Sequence, residues 1–134
     1  KKPGSIFIAE DAVSGSGLHL IYRTLSPQGK LTTPEAVIQA ALKGQDAVAA
    51  KTLEHFISWL ARISGDAAMA LQARGGVYLA GGIAPSIIDR LKSGPFRTIF
   101  EDKGKLSDIM RPIPVYVIVD KFPAFKGCAA SLAQ

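Results

Sequence analysis

The chain has 134 residues, 48% hydrophobic and 20% charged, with a formal charge of +5. That size and apolar content suit one globular domain with a core and exclude a disordered chain. The basic residues are scattered, with no basic helix face and no aromatic-interleaved patch, so they read as solvated surface and no nucleic-acid site is expected.

Ile6 to Ala9 reads as a short strand or an extended entry. Ser14 is placed to cap a helix over Gly15–Leu25 with Leu18, Ile21, Tyr22 and Leu25 on one face. Ser26-Pro27-Gln28-Gly29 is a turn. Thr33-Pro34-Glu35 supplies an N-cap, a first-turn proline and an early acid, opening a helix that runs to Leu42 and stops at Gly44.

The longest helix is predicted from Asp46 to Ala73, with apolar residues from Val48 to Leu71 stepping by three to five. Trp59 and Ala70 widen its stripe and predict burial on more than one side. Arg74-Gly75-Gly76 is its expected end, and Val77 to Ala80 a short buried strand. Gly81 and Gly82 then clear side chains from the strand end, and Pro85 marks the start of a helix to Lys92. Such a turn is either an ordinary connection or a close approach for a nucleotide.

Beyond the Gly94-Pro95 break, Phe96 to Phe100 is a short helix, and Ser107 caps another through Met110. Val115 to Val119, framed by Pro112 and Pro114, reads as a buried strand of the parallel type. A helix from Ala124 to Leu132 follows, with Cys128 as a small packed residue. Two strands are too few for an independent sheet, so the chain is expected to be part of a larger fold.

No apolar run approaches the ~20 residues that cross a bilayer, and no segment has the basic-then-apolar form of a signal. A single cysteine precludes an internal disulfide and fits a reducing cytosol, and with two widely spaced histidines it offers no zinc-type cluster. His19 and His55 fall in predicted helices and read as packed or solvated. Glu101-Asp102-Lys103 reads as a solvated turn or an inter-subunit contact.

Four blocks, in order and in register, resemble the bacterial ATP-dependent glucokinases. They are Glu10-Asp11-Ala12-Val13-Ser14-Gly15-Ser16-Gly17-Leu18, then Gly75-Gly76-Val77-Tyr78-Leu79-Ala80-Gly81-Gly82-Ile83-Ala84-Pro85, then Phe100-Glu101-Asp102-Lys103-Gly104, and Ile113-Pro114-Val115-Tyr116-Val117-Ile118. Asp11 and Ser16 stand where members often carry a basic residue and a proline, which puts the subfamily rather than the family in question.

The resemblance implies an α/β, helix-rich part of an actin-like (ribonuclease-H-like) ATPase lobe. Residues 1–134 would be the C-terminal part of a glucokinase-like domain, with the phosphate loop and the catalytic aspartate outside them. It implies ATP and magnesium in the full-length enzyme, glucose as the sugar, a cytoplasmic homodimer and no membrane, and an isolated fragment that turns nothing over. Glu10 would bind glucose, a carboxylate accepting from two hydroxyls; alternatively Glu10 or Asp11 only favours the following helix start. Gly81 and Gly82 would lie on the adenosine side of the nucleotide site. Ile83 would touch the base or belong to the core. No catalytic or metal-binding residue is assigned within these residues. Two other functions share these features: a sugar-sensing regulatory domain that binds without turnover, and a dimerisation module built on the long helix.

Overall fold

The structure is a computed structural model that describes residues 6–133. Ile6–Ile8 carry no regular secondary structure, so the strand alternative does not form. The helices, in chain order, are α1 (Glu10–Val13), α2 (Gly15–Leu25), α3 (Pro34–Leu42), α4 (Ala47–Ala70), α5 (Ile83–Ser86), α6 (Ile88–Ser93), α7 (Phe96–Glu101), α8 (Ser107–Met110) and α9 (Pro123–Leu132). Two strands, β1 (Val77–Leu79) and β2 (Val115–Val117), pair in parallel with Val77 opposite Val115 and Leu79 opposite Val117. A helix-rich α/β chain with few strands is what the sequence predicts.

Side-chain caps set the starts of α2, α3 and α4. Ser14 Oγ accepts from Gly17 N, Thr33 Oγ1 from Ala36 N, and an Asp46 carboxylate oxygen from Ala49 N. Each satisfies a backbone donor that the first helical turn leaves open. α4 is the hub, packed against α1, α2, α3, α7 and α8. Its face carries Ala49, Leu53, Phe56, Ile57, Ala61 and Ala68 into a core shared with Leu18, Tyr22, Val37, Phe100 and Met110. The Tyr22 hydroxyl, buried there, donates to Asp46 at 3.3 Å. Burial, reinforced by the Asp46 carboxylate, raises its pKa above the ordinary phenol value.

α4 departs from expectation in two ways. It stops at Ala70, because Leu71 caps it and Gln72 turns into the left-handed region at φ +48. It is buried on more than one side, but through Thr52, Ser64 and Gly65; Trp59 is 49% exposed and Ala70 is exposed. Thr52 tolerates burial because its hydroxyl donates to Val48 O at 2.8 Å. Gly65 sits where α7 crosses: a Cβ there would lie 2.6 Å from the Phe100 carbonyl oxygen.

The strands are shorter and less buried than their composition suggests. Val77, Leu79, Val115 and Val117 pack toward the core, while Tyr78 and Tyr116, opposite each other in register, are 62% and 47% exposed and stack at 5.0 Å. Alternation along a strand forces that split. Val119 lies beyond β2 and is exposed.

The expected helix from Pro85 to Lys92 is two, α5 and α6, broken at Ile87 (φ −117, ψ 17). Ser107 opens α8, yet its hydroxyl accepts from Lys103 N behind it rather than from the helix ahead. Nor is Glu101-Asp102-Lys103 a solvated turn: Glu101 pairs with Arg97, and Lys103, its side chain 6% exposed, reaches Asp66 at 2.6 Å. Cys128 is exposed, because none of the described residues of α9 is buried. His19 is a packed residue, its Nε2 within 3.1 Å of Leu31 O, whereas His55 is solvated.

Candidate functional site

In open sheets with parallel strands, ligands gather beyond the carboxyl ends of the strands. There, past Leu79, lies a cavity of about 570 Å³, within the size range of small-ligand sites. Three segments wall it: Val13–Gly15 at the junction of α1 and α2, one face of α3 with Glu35, Ile38 and Gln39, and Ala80–Ile83 with Ser86 after β1.

Local sequence builds each wall. Ser14 adopts extended backbone (φ −109, ψ 173), which ends α1 and lets its own hydroxyl cap α2. Thr33 and Pro34 fix the start of α3, so Glu35 falls in its first turn and Gln39 one turn later on the same face. The segments meet closely: a Cβ on Gly15 would lie 3.6 Å from Pro34 Cγ and 3.9 Å from Ile83 Cδ1.

Gly81, Gly82 and Ile83 all line this cavity. Gly81 has φ +108, a conformation costly for any other residue. Gly82 has φ −74, so its backbone does not require glycine. At both positions an added Cβ would meet nothing within 4 Å, which leaves open space over the turn. Ile83 packs against the core and also lines the cavity. Pro85 is the third residue of a single-turn helix, not its start, and its missing N–H falls among donors that a first turn leaves open.

Glu10 is not in the cavity wall. It opens α1, is exposed, and lies three residues before Val13, the residue of α1 that lines the cavity. The structural task falls to Asp11, whose carboxylate accepts from Ile8 N at 2.8 Å. Gly17 allows α2 to cross α1 closely, since a Cβ there would be 2.5 Å from Asp11 O.

Glu35, Gln39 and Ser86 join the wall without having been singled out from sequence. The one signal there was is the four-residue spacing of Glu35 and Gln39; which way their face of α3 points is a tertiary fact. Glu35 is the one charged side chain among the lining residues, and no Lys or Arg is among them. The wall thus suits a neutral, hydroxyl-bearing group better than a phosphate. Among the described residues no three His, Cys, Asp or Glu are grouped so that they could hold a metal ion. Nor is any helix long and apolar enough to cross a membrane among the described residues.

A family model described as Glucokinase matches residues 4–134. The glucokinase of Campylobacter jejuni subsp. doylei is 43% identical over 136 residues, covering 98% of this chain and 41% of that protein. The Helicobacter pylori glucokinase is 42% identical over 134 residues, covering 92% and 40%. A crystal structure of glucokinase from an Antarctic psychrotroph superposes with a TM-score of 0.80 at 30% identity, over 91% of this chain and 39% of that one. The chain therefore spans about two fifths of the length of the relatives it matches.

Proposed function

This chain belongs to the glucokinase family, and from that premise we propose that the complete polypeptide transfers the γ-phosphoryl group of ATP to D-glucose. Residues 1–134 are then the C-terminal part of its actin-like domain and contribute part of the sugar site and the adenosine side of the nucleotide site. The observation that carries this reading is the meeting of two turns at one cavity: the Gly81–Gly82 turn and the α1–α2 junction both stand in its wall.

In this reading Glu10, ionised and exposed, accepts hydrogen bonds from two sugar hydroxyls and fixes the acceptor. Gly81 and Gly82 leave room for the nucleoside, and Ile83 offers it an apolar surface. Positioning of donor against acceptor is the main task of such a site, since phosphoryl transfer asks little covalent chemistry of the protein. Magnesium, when bound with ATP, neutralises charge on the phosphates. The base that takes the sugar proton is assigned to no residue of this chain. A homodimer and cytoplasmic residence belong to the same reading and rest on the family alone.

The test is glucose-dependent ADP formation by the complete polypeptide with ATP and magnesium. Turnover is expected there and none from residues 1–134 alone. Glucose binding without ADP formation by the complete polypeptide would replace the enzyme with a sugar sensor.

A further inference from the structure

The cavity wall holds four polar side chains, and two of them are already committed. Ser14 Oγ accepts from Gly17 N at 3.1 Å and lies 2.9 Å from Ser16 Oγ. Ser86 Oγ donates to Ile83 O at 2.7 Å. Glu35 and Gln39 are exposed to the cavity and make no side-chain hydrogen bond or ion pair among the described residues. They are one turn apart on α3, so their Cβ atoms stand roughly 6 Å apart on one face.

We infer that Glu35 and Gln39 read the nucleoside, Glu35 accepting from the 2′ and 3′ hydroxyls of a ribose and Gln39 pairing with the edge of adenine. This rests on the assignment of Gly81–Ile83 to the adenosine side. An ionised carboxylate is an acceptor only, with two oxygens to offer, and a vicinal diol presents two donors. The same charge repels phosphate, so the ribose enters toward Glu35 and the phosphate chain is directed out of the cavity. A primary amide carries one acceptor and a pair of donors; it pairs with adenine through N6 and N7, whereas guanine shows acceptors at both O6 and N7. Ile83 and Ile38 supply apolar wall for the base, and no cation in the wall competes for Glu35.

The experiment is calorimetric titration of the complete polypeptide with ATP, 2′,3′-dideoxy-ATP and GTP, for wild type, Glu35→Gln, Gln39→Leu and Gly82→Val. Both α3 side chains are exposed, so the two α3 variants should keep the wild-type unfolding midpoint within a few degrees, Glu35→Gln losing most because it removes a first-turn acid. Wild type should prefer ATP to the dideoxy analogue by about tenfold or more, the value of charge-assisted hydrogen bonds. Glu35→Gln should erase most of that preference and keep the preference for ATP over GTP. Gln39→Leu should do the reverse. A Glu35→Gln protein that still discriminates against the dideoxy analogue overturns the ribose assignment, and an unchanged ATP-to-GTP ratio in Gln39→Leu overturns the base assignment. If in either case Gly82→Val still abolishes ATP binding, the adenosine-side reading survives and only the α3 inference is lost. Absence of ATP binding by wild type overturns both.

Discussion

Gly65→Ala pits two effects of opposite sign against each other in the middle of α4. Alanine is the better helix former by about 1 kcal/mol, and at an open helical site that term would win. Gly65 is not open: its new Cβ would stand 2.6 Å from the Phe100 carbonyl oxygen, 2.9 Å from Lys103 Cε and 3.1 Å from Lys103 Nζ. The carbonyl is backbone of α7, and the Phe100 side chain behind it is fully buried, so α7 has to shift as a unit. Overpacking of that kind costs about 1–3 kcal/mol. Moving Lys103 also loosens its pair with Asp66; Asp66 is 58% exposed, which limits that loss to about 0.5–1 kcal/mol. The sum is a destabilisation of about 0.5–3 kcal/mol, read as a fall in the unfolding midpoint or a lower urea midpoint at unchanged slope. Gly127→Ala is the control. It lies inside α9 with nothing within 4 Å of a new Cβ, so it should strengthen that helix by about 1 kcal/mol, seen as slower amide exchange there. A Gly65→Ala protein that melts at or above wild type would refute the claim that α4 and α7 touch too closely for a methyl.

The double glycine separates in the same way. Gly82→Val, with φ −74 and open space, should leave the unfolding midpoint near wild type while weakening ATP far more than glucose; unchanged ATP affinity in a stable variant removes the nucleotide assignment. Gly81→Ala at φ +108 should instead cost about 1–3 kcal/mol of stability before any ligand is added, measured by denaturation. For Glu10→Gln in the complete polypeptide, loss of a charge-assisted hydrogen bond should cost about 1.5–3 kcal/mol, appearing as a lower kcat/KM for glucose. An unchanged value would reduce Glu10 to a helix-start residue, a task that Asp11 already performs.

Local chemistry is legible in the order of the residues. Ser14 and Thr33-Pro34 announce two helix starts, because a capping side chain and its target N–H lie within three residues of one another. The start of α4 is also legible to within one residue, since Asp46 proves to be its cap rather than its first residue. The double-glycine turn is likewise legible from residue order alone, and so is the parallel character of β2. Whatever depends on a distant neighbour is not. Thr52, Ser64 and Gly65 are buried although their polarity or size hides it, and Trp59 is exposed although its size suggests the opposite. Tyr78 and Tyr116 lie in apolar runs yet face outward, since only the pairing register decides which face of a strand a side chain joins. The α3 wall of the cavity belongs to this second class. Glu35 reads locally as a favourable first-turn acid, and nothing in the residues around it tells that α3 is laid beside the Gly81–Gly82 turn. Sequence determined where the chain bends and caps, because those interactions close over a few bonds; tertiary packing alone decided which of its surfaces face one another across the cavity.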